Sequence, residues 1–515
     1  MSTNLVLQIF ENYQKARTQF VQTIAELSKR KENFEDIVSA GGLLLLRPLI
    51  MDVVPSIAQT ACIALGRMAG ESAEIADQVI SLEFLPQIVH SISEQNRVFK
   101  KCAAYVLRSV SKHSEAHASA VVENEGLHAL NLALNEYDPS VKEASCWALS
   151  YIAKHSKHLA VQVVECVTLK KLTECLQEPE VPLKRIAANA LTQIARHEDK
   201  LARDVAAREL NVLPYACQLL NSPDPLLRKQ VLGLLATLAG AKKDLSEKVM
   251  DNLQLDKLLA MLKDKDVGAR LSAVELVRNL IKHSSDSARL IYNGGGGRSL
   301  LEFLQDNSDS FKEEVVETLE TIANFDESLA LGLISLKGVE IVSQLAMNSP
   351  NLALKRKCIL CLGAMTQHSA DHSKIITGSA FFPALVRLLK EKRSAEFTQD
   401  LTKGLTLILK SSRDLKAMEN LLIDREVPSA LLIVVCHRIA STLRKDVSAK
   451  KAFAKQNGLK TIQDLKKEKR ELDPVFFSAL DEICNVYPND LLRLYDSDYP
   501  MTQLKKIDEK SVFEK

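Results

Sequence analysis

The sequence predicts an all-α solenoid, and three observations carry that prediction. One phrase recurs along the 515 residues: SVSKHSEAHA at 109–118, YIAKHSKHLA at 151–160, QIARHEDKLA at 193–202 and NLIKHSSDSA at 279–288. Aligning the chain on Lys112 places equivalent positions at Lys29, Gly70, Lys112, Lys154, Arg196, Gly240, Lys282, Asn324 and Gln367, 41 to 44 residues apart. Aromatic residues make up 5% of the chain and Trp occurs once, which argues against a sheet core rich in aromatic and β-branched side chains. A period near 42 belongs to stacked helical repeats, whose single units cannot bury their own apolar faces.

The elements follow in order. Leu5 to Arg30 reads as a long amphipathic helix that caps the first unit. Sixteen residues before each anchor stand Asn96, Asp138, Glu180, Asp224, Asp266, Ser308 and Asn351, most of them residues whose side-chain oxygen accepts an unpaired amide hydrogen at a helix start. Pro55, Pro139 and Pro225 occupy the first helical position, where proline sacrifices no hydrogen bond. Two apolar columns follow on the same helix: Phe99, Val141, Leu183, Leu227, Ala269, Phe311 and Leu354, and Leu65, Leu107, Leu149, Leu191, Leu235, Val277, Leu319 and Leu362. Their eight-residue separation puts both on one helix face, which predicts the core. After the anchor comes a short helix and a break marked by Gly42, Gly126, Gly294 to Gly297, Gly338 and Gly458, with Pro86, Pro214 and Pro383 beginning the next helix.

Each unit is therefore three helices, which selects the armadillo form over the two-helix HEAT form. The expected organisation is a capping helix at 1–30, armadillo repeats at 31–410, degenerate repeats at 411–500, around Asp473-Pro474 and VYPNDLLRLYDSDYP, and a tail at 501–515.

With 67 Lys+Arg against 65 Asp+Glu, the charge of +2 excludes a general polyanion coat. Ten Cys are too sparse for a disulfide scaffold, and MSTNLVLQIFENYQK lacks a leader pattern, so a reduced cytosolic protein is expected. The most apolar window, Leu43 to Val54, is broken by Arg47, Pro48 and Asp52, so no membrane span is expected. NGGGGRS lacks a phosphate-loop lysine, and no catalytic signature appears; neither enzymatic activity, a cofactor nor a small-molecule substrate is expected. Cys358 and Cys361 form an isolated CxxC, read as buried helix positions rather than metal or redox ligands.

Two ladders recur in phase. His113, His155, His197, His283 and His368 stand beside the anchor; stacked helices lie about 8–10 Å apart, too far for one shared metal, so they read as donors to helix-end carbonyls. Twelve before the anchor stand Lys100, Lys142, Lys184, Arg228, Arg270, Lys312 and Lys355. Positive charge is unfavourable at a helix N-terminus, so helix energetics alone do not select seven cations there. Two readings stay open. The column is either a tolerated solvated position or an exposed basic stripe that binds an extended acidic partner. Without interleaved aromatics for base stacking, the partner is expected to be protein rather than nucleic acid.

The stretches VLQIFENYQKARTQFVQTIAEL, MDVVPSIAQTACIALGRMA, LPQIVHSISEQNRVFKKCAAYVLRSVSKHS, DPSVKEASCWALSYIAKHS and QEPEVPLKRIAANALTQIA resemble the sperm-associated antigen 6 family, the armadillo proteins of the ciliary central apparatus. The resemblance is strong from residue 5 to about 200, thins through the later repeats and returns in NVYPNDLLRLYDSDY. It implies a structural component of a central-pair microtubule in motile cilia and flagella, with tubulin and other central-apparatus proteins as partners. A nuclear-import receptor of importin-α type is disfavoured: its repeated Trp survives only at Trp147, and Asn279 faces Glu275, so no Trp–Asn pair exists. A cytosolic adaptor of β-catenin type, binding acidic segments of signalling or adhesion partners, is the alternative.

Overall fold

The computed structural model describes residues 2–494 except 95, 167–168, 306–308, 391–394, 425 and 468–473. The expected cap Ser308, Asp473 and the tail at 501–515 therefore lie outside the described residues. Among the described residues every regular element is helical, and the fold is an armadillo-repeat solenoid built in two compact units, Met1–Ser287 and Ala288–Lys515.

In the first unit α1 (Ser2–Leu27) packs on α2 (Pro55–Glu71), and the long helices then stack in sequence: α3 (Arg97–Ser111), α4 (Pro139–His155), α5 (Val181–Ala195), α6 (Pro225–Ala241) and α7 (Val267–His283). In the second unit α8 (Asp309–Phe325), α9 (Leu352–Thr366), α10 (Ala395–Lys410), α11 (Ser429–Lys445) and α12 (Pro474–Cys484) stack likewise. Two short helices precede most long ones, as Glu115–Glu123 and Gly126–Ala133 precede α4. After Lys410 the pattern loses one short helix, because Leu415–Ile423 leads directly to α11, and then resumes with Val447–Lys455 and Gly458–Lys467.

The helix starts follow from their sequences. Asn96, Asp138, Asp224, Asp266 and Asn351 each accept a backbone N–H from the first turn. Glu180 occupies the cap position without a side-chain cap bond; its longer side chain lacks the short reach of Asp or Asn. Pro55, Pro139 and Pro225 are first helical residues, whereas Pro86, Pro214 and Pro383 sit third in theirs, still inside the turn whose amides need no partner. Every residue of both apolar columns is buried, from Phe99 to Leu354 and from Leu65 to Leu362.

Between the two short helices the backbone turns through a left-handed residue, occupied by Gly41, Glu83, Glu125, Asn211, Gly295, Lys337 and Asn457. The glycine that follows serves another purpose. A Cβ at Gly126 would stand 2.5 Å from the Val121 carbonyl oxygen and 2.6 Å from its side chain, so close approach of backbone, and not φ, demands glycine there. Cys358 and Cys361 are fully buried on α9, and burial pushes the Cys358 thiol up to about 12.

Candidate partner-binding surface

The histidine ladder forms ties between neighbouring repeats. Each imidazole Nε2–H donates to a carbonyl near the end of the preceding long helix: His113 to Ala69 (2.5 Å), His155 to Ser111 (2.7 Å), His197 to Ala153 (2.7 Å), His283 to Gly240 (3.4 Å) and His368 to Ala323 (2.7 Å). Those carbonyls lie in the last turn, where no intrahelical partner remains. Lys112 adds a bond of the same kind, its Nζ donating to the Gly70 carbonyl at 2.8 Å. Among the described residues no three His, Cys, Asp or Glu side chains gather as metal ligands.

The cation column differs from the expected row of exposed charges. Lys100 pairs with Glu136 at 2.7 Å and Lys142 with Glu178 at 2.5 Å, while Arg228 grips Asp264 bidentately at 2.6 and 2.9 Å. Each acid lies 36 residues on, in the loop two residues before the next long helix's cap, so the pair fastens one repeat to the next. The three cationic side chains are only 14–17% exposed. Burial, the largest influence on the Lys142 ammonium, works to lower its pKa, yet the hydrogen bond and charge of Glu178 outweigh it and the net shift is upward. Asp264, 5% exposed, is pushed up by burial, but Arg228, the Asp266 amide and Arg270 hold its pKa below the ordinary value.

The remaining members are placed differently. Arg270 is half-buried near Asp264. Lys184, Lys312 and Lys355 are partly exposed and have no carboxylate at ion-pair distance among the described residues. Beside Lys184 and Lys355 the basic neighbours carry the repeat ties instead: Arg185 binds Asp224, Arg356 binds Asp400 at 2.6 Å and Glu396 at 3.0 Å, and Lys357 binds Glu317 at 3.0 Å.

The first unit carries a second surface that the charge pattern does not mark. On α3 and α4, Arg108 lays its guanidinium 4.3 Å above the centre of the Trp147 ring and 5.8 Å from that of Tyr151, and the two rings stack at 5.9 Å. With Ile63, Lys101, Cys102, Tyr105, Ser140, Glu143 and Ala144, Arg108 and Trp147 border a cleft of about 250 Å³. The signal lay in the 39-residue spacing of Arg108 and Trp147, which brings them to facing helices.

Comparison with known proteins bears on this geometry. No family model matches the chain. Over 103 residues it is 55% identical to sperm-associated antigen 6 of Mus musculus and 54% identical to that of Homo sapiens, a match spanning 20% of this chain and 20% of each relative. The crystal structure of an engineered protein superposes with a TM-score of 0.68 at 17% identity, covering 86% of this chain and 98% of that one, and shows the same fold. A designed armadillo repeat protein in complex with the peptide (KR)4 covers 46% of this chain with a TM-score of 0.44 at 18% identity.

Proposed function

We propose, taking as premise that the chain is a homologue of sperm-associated antigen 6 over one fifth of its length, that it is a non-catalytic scaffold of the axonemal central apparatus. In this reading it binds a central-pair microtubule and neighbouring proteins and supports ciliary and flagellar beating. The observation that carries it is the 55% identity over 103 residues, far above the 17% at which the engineered protein shares only the fold. A repeat stack supports the same reading physically, since it offers long rigid faces to several partners at once.

Within this proposal the cation column divides. Lys100, Lys142 and Arg228 fix repeat to repeat, and Lys184, Lys312 and Lys355 are left to meet acidic partner segments such as tubulin tails. The test is deletion of the protein in a flagellated cell followed by electron microscopy of axoneme cross-sections. A lost or disordered central pair is expected; intact central pairs with a normal beat would refute the function.

A further inference from the structure

We infer that the cleft between α3 and α4 binds an acidic, extended peptide segment, with one carboxylate on Arg108 and a second on Lys101. The geometry of Arg108 carries this. Its guanidinium carbon stands 4.3 Å from the centre of the Trp147 ring at the border of the cleft, a cation–π contact that holds the charge beside the indole and uses none of the N–H donors. No carboxylate pairs with it among the described residues, unlike Arg228 and Arg356, whose forks are occupied by Asp264 and Asp400. A guanidinium held against a ring and paired with no carboxylate among the described residues keeps its donors for bidentate capture of one, and part of the side-chain ordering is already in place.

Lys101 supplies the second contact. It is exposed, pairs with no carboxylate among the described residues, and stands seven positions before Arg108, hence two turns and about 10 Å away on the same face of α3. An extended chain advances about 3.1–3.3 Å per residue, so carboxylates three positions apart span the same distance. Between the two cations Ile63, Tyr105, Ala144 and Trp147 offer apolar surface to an aliphatic residue of the partner. The one acid on the rim, Glu143, leaves the cleft with a net positive charge. A basic segment would place its charges against Arg108 and Lys101, so charge complementarity selects the acidic one.

The inference deepens the scaffold reading by naming partner chemistry, yet it does not depend on the axonemal setting. A peptide titration reads the cleft, whereas deletion and microscopy read the function, so either can fail alone. Because Trp147 is the sole tryptophan, its emission reports on this cleft in the full chain. The probe is the blocked peptide Gly-Glu-Leu-Ala-Glu-Gly, compared with versions carrying Gln or Lys in place of both Glu. The Glu peptide is expected to change Trp147 emission saturably, with affinity falling as salt rises, and the Gln and Lys peptides to leave it flat. Arg108→Gln should weaken binding by about tenfold or more and Lys101→Gln by several-fold, each followed by calorimetry because the first substitution alters the fluorophore's surroundings. Unaltered helical circular dichroism in both variants excludes unfolding. No saturable signal with the Glu peptide, an equal response to the Gln peptide, or unchanged affinity in Arg108→Gln would overturn the inference.

Discussion

His155 donates its Nε2–H to the carbonyl oxygen of Ser111, 2.7 Å away and 44 positions earlier, so the end of one long helix is satisfied by the next repeat and not by its own chain continuation. The same bond recurs at His113, His197, His283 and His368. Stacking in this protein thus has a directional polar component added to the apolar columns, and replacing a histidine exposes that component.

His155→Phe keeps the ring and removes the donor. It should lower stability by about 1 kcal/mol, the net worth of one hydrogen bond, with more lost if the carbonyl stays dry. Urea unfolding should show a lower midpoint and an unchanged slope. An unaltered midpoint would mean that water replaces the imidazole without loss.

Removing Arg228 leaves Asp264 buried without its bidentate partner, with only the Asp266 amide and the charge of Arg270 to compensate. Arg228→Met should therefore destabilise by about 2–4 kcal/mol, and the double variant Arg228→Met with Asp264→Asn should recover part of that loss. Equal destabilisation in single and double variants would show that packing of the arginine stem, and not its charge, holds the repeats. Changing Lys142 or Arg228 to an acid would break a tie between repeats, so neither substitution separates partner binding from stability. Substitutions at Lys184, Lys312 and Lys355 address partner binding without breaking an ion pair between the described residues.

Acid should loosen the same ties. Asp326 is held at about 2, chiefly by the Leu329 amide and then by Arg289 and Ser328; Asp224 is lowered first by Arg185, and Asp264 is lowered despite its burial. A carboxylate whose folded value lies below its ordinary value, 3.8 for aspartate, contributes stability that is complete above that value and lost as pH falls through the folded value. Melting temperature should hover unchanged between pH 5 and 7, on the order of the plateau such groups give, and drop from about pH 4 towards pH 2. Asp326→Ala should blunt that drop; an identical acid profile in the variant would contradict the assignment.

Gly126→Ala should cost about 1–3 kcal/mol, because the new methyl meets a carbonyl oxygen that only a backbone shift can move. Glu125→Gly, one residue earlier at the left-handed position, should be neutral or mildly stabilising. Thermal unfolding of the two neighbours distinguishes close approach from φ strain, and a reversed order would contradict the account of this turn.

The repeat, its caps and its two apolar columns were legible because each depends on a local rule acting on one residue type at one phase. The histidine donors were legible for the same reason. The latch of the cation column was not, because its acids belong to the following unit: Glu136, Glu178 and Asp264 recur 36 residues after Lys100, Lys142 and Arg228, and reading one column at a time hides a partner in the next. The left-handed column was hidden as well, since Glu83, Glu125 and Lys337 carry no sequence mark of positive φ. Arg108 against Trp147 is not legible locally, because the two residues are 39 positions apart and meet only when α3 and α4 stack.

The central claim is residence in the axoneme. A fluorescent tag on the full chain, expressed at native level in a ciliated cell and imaged by expansion microscopy with tubulin, tests it most directly. A single axial line between the nine doublets, retained after detergent extraction, is the predicted result. Diffuse cytosolic or nuclear signal that washes out with detergent would contradict it.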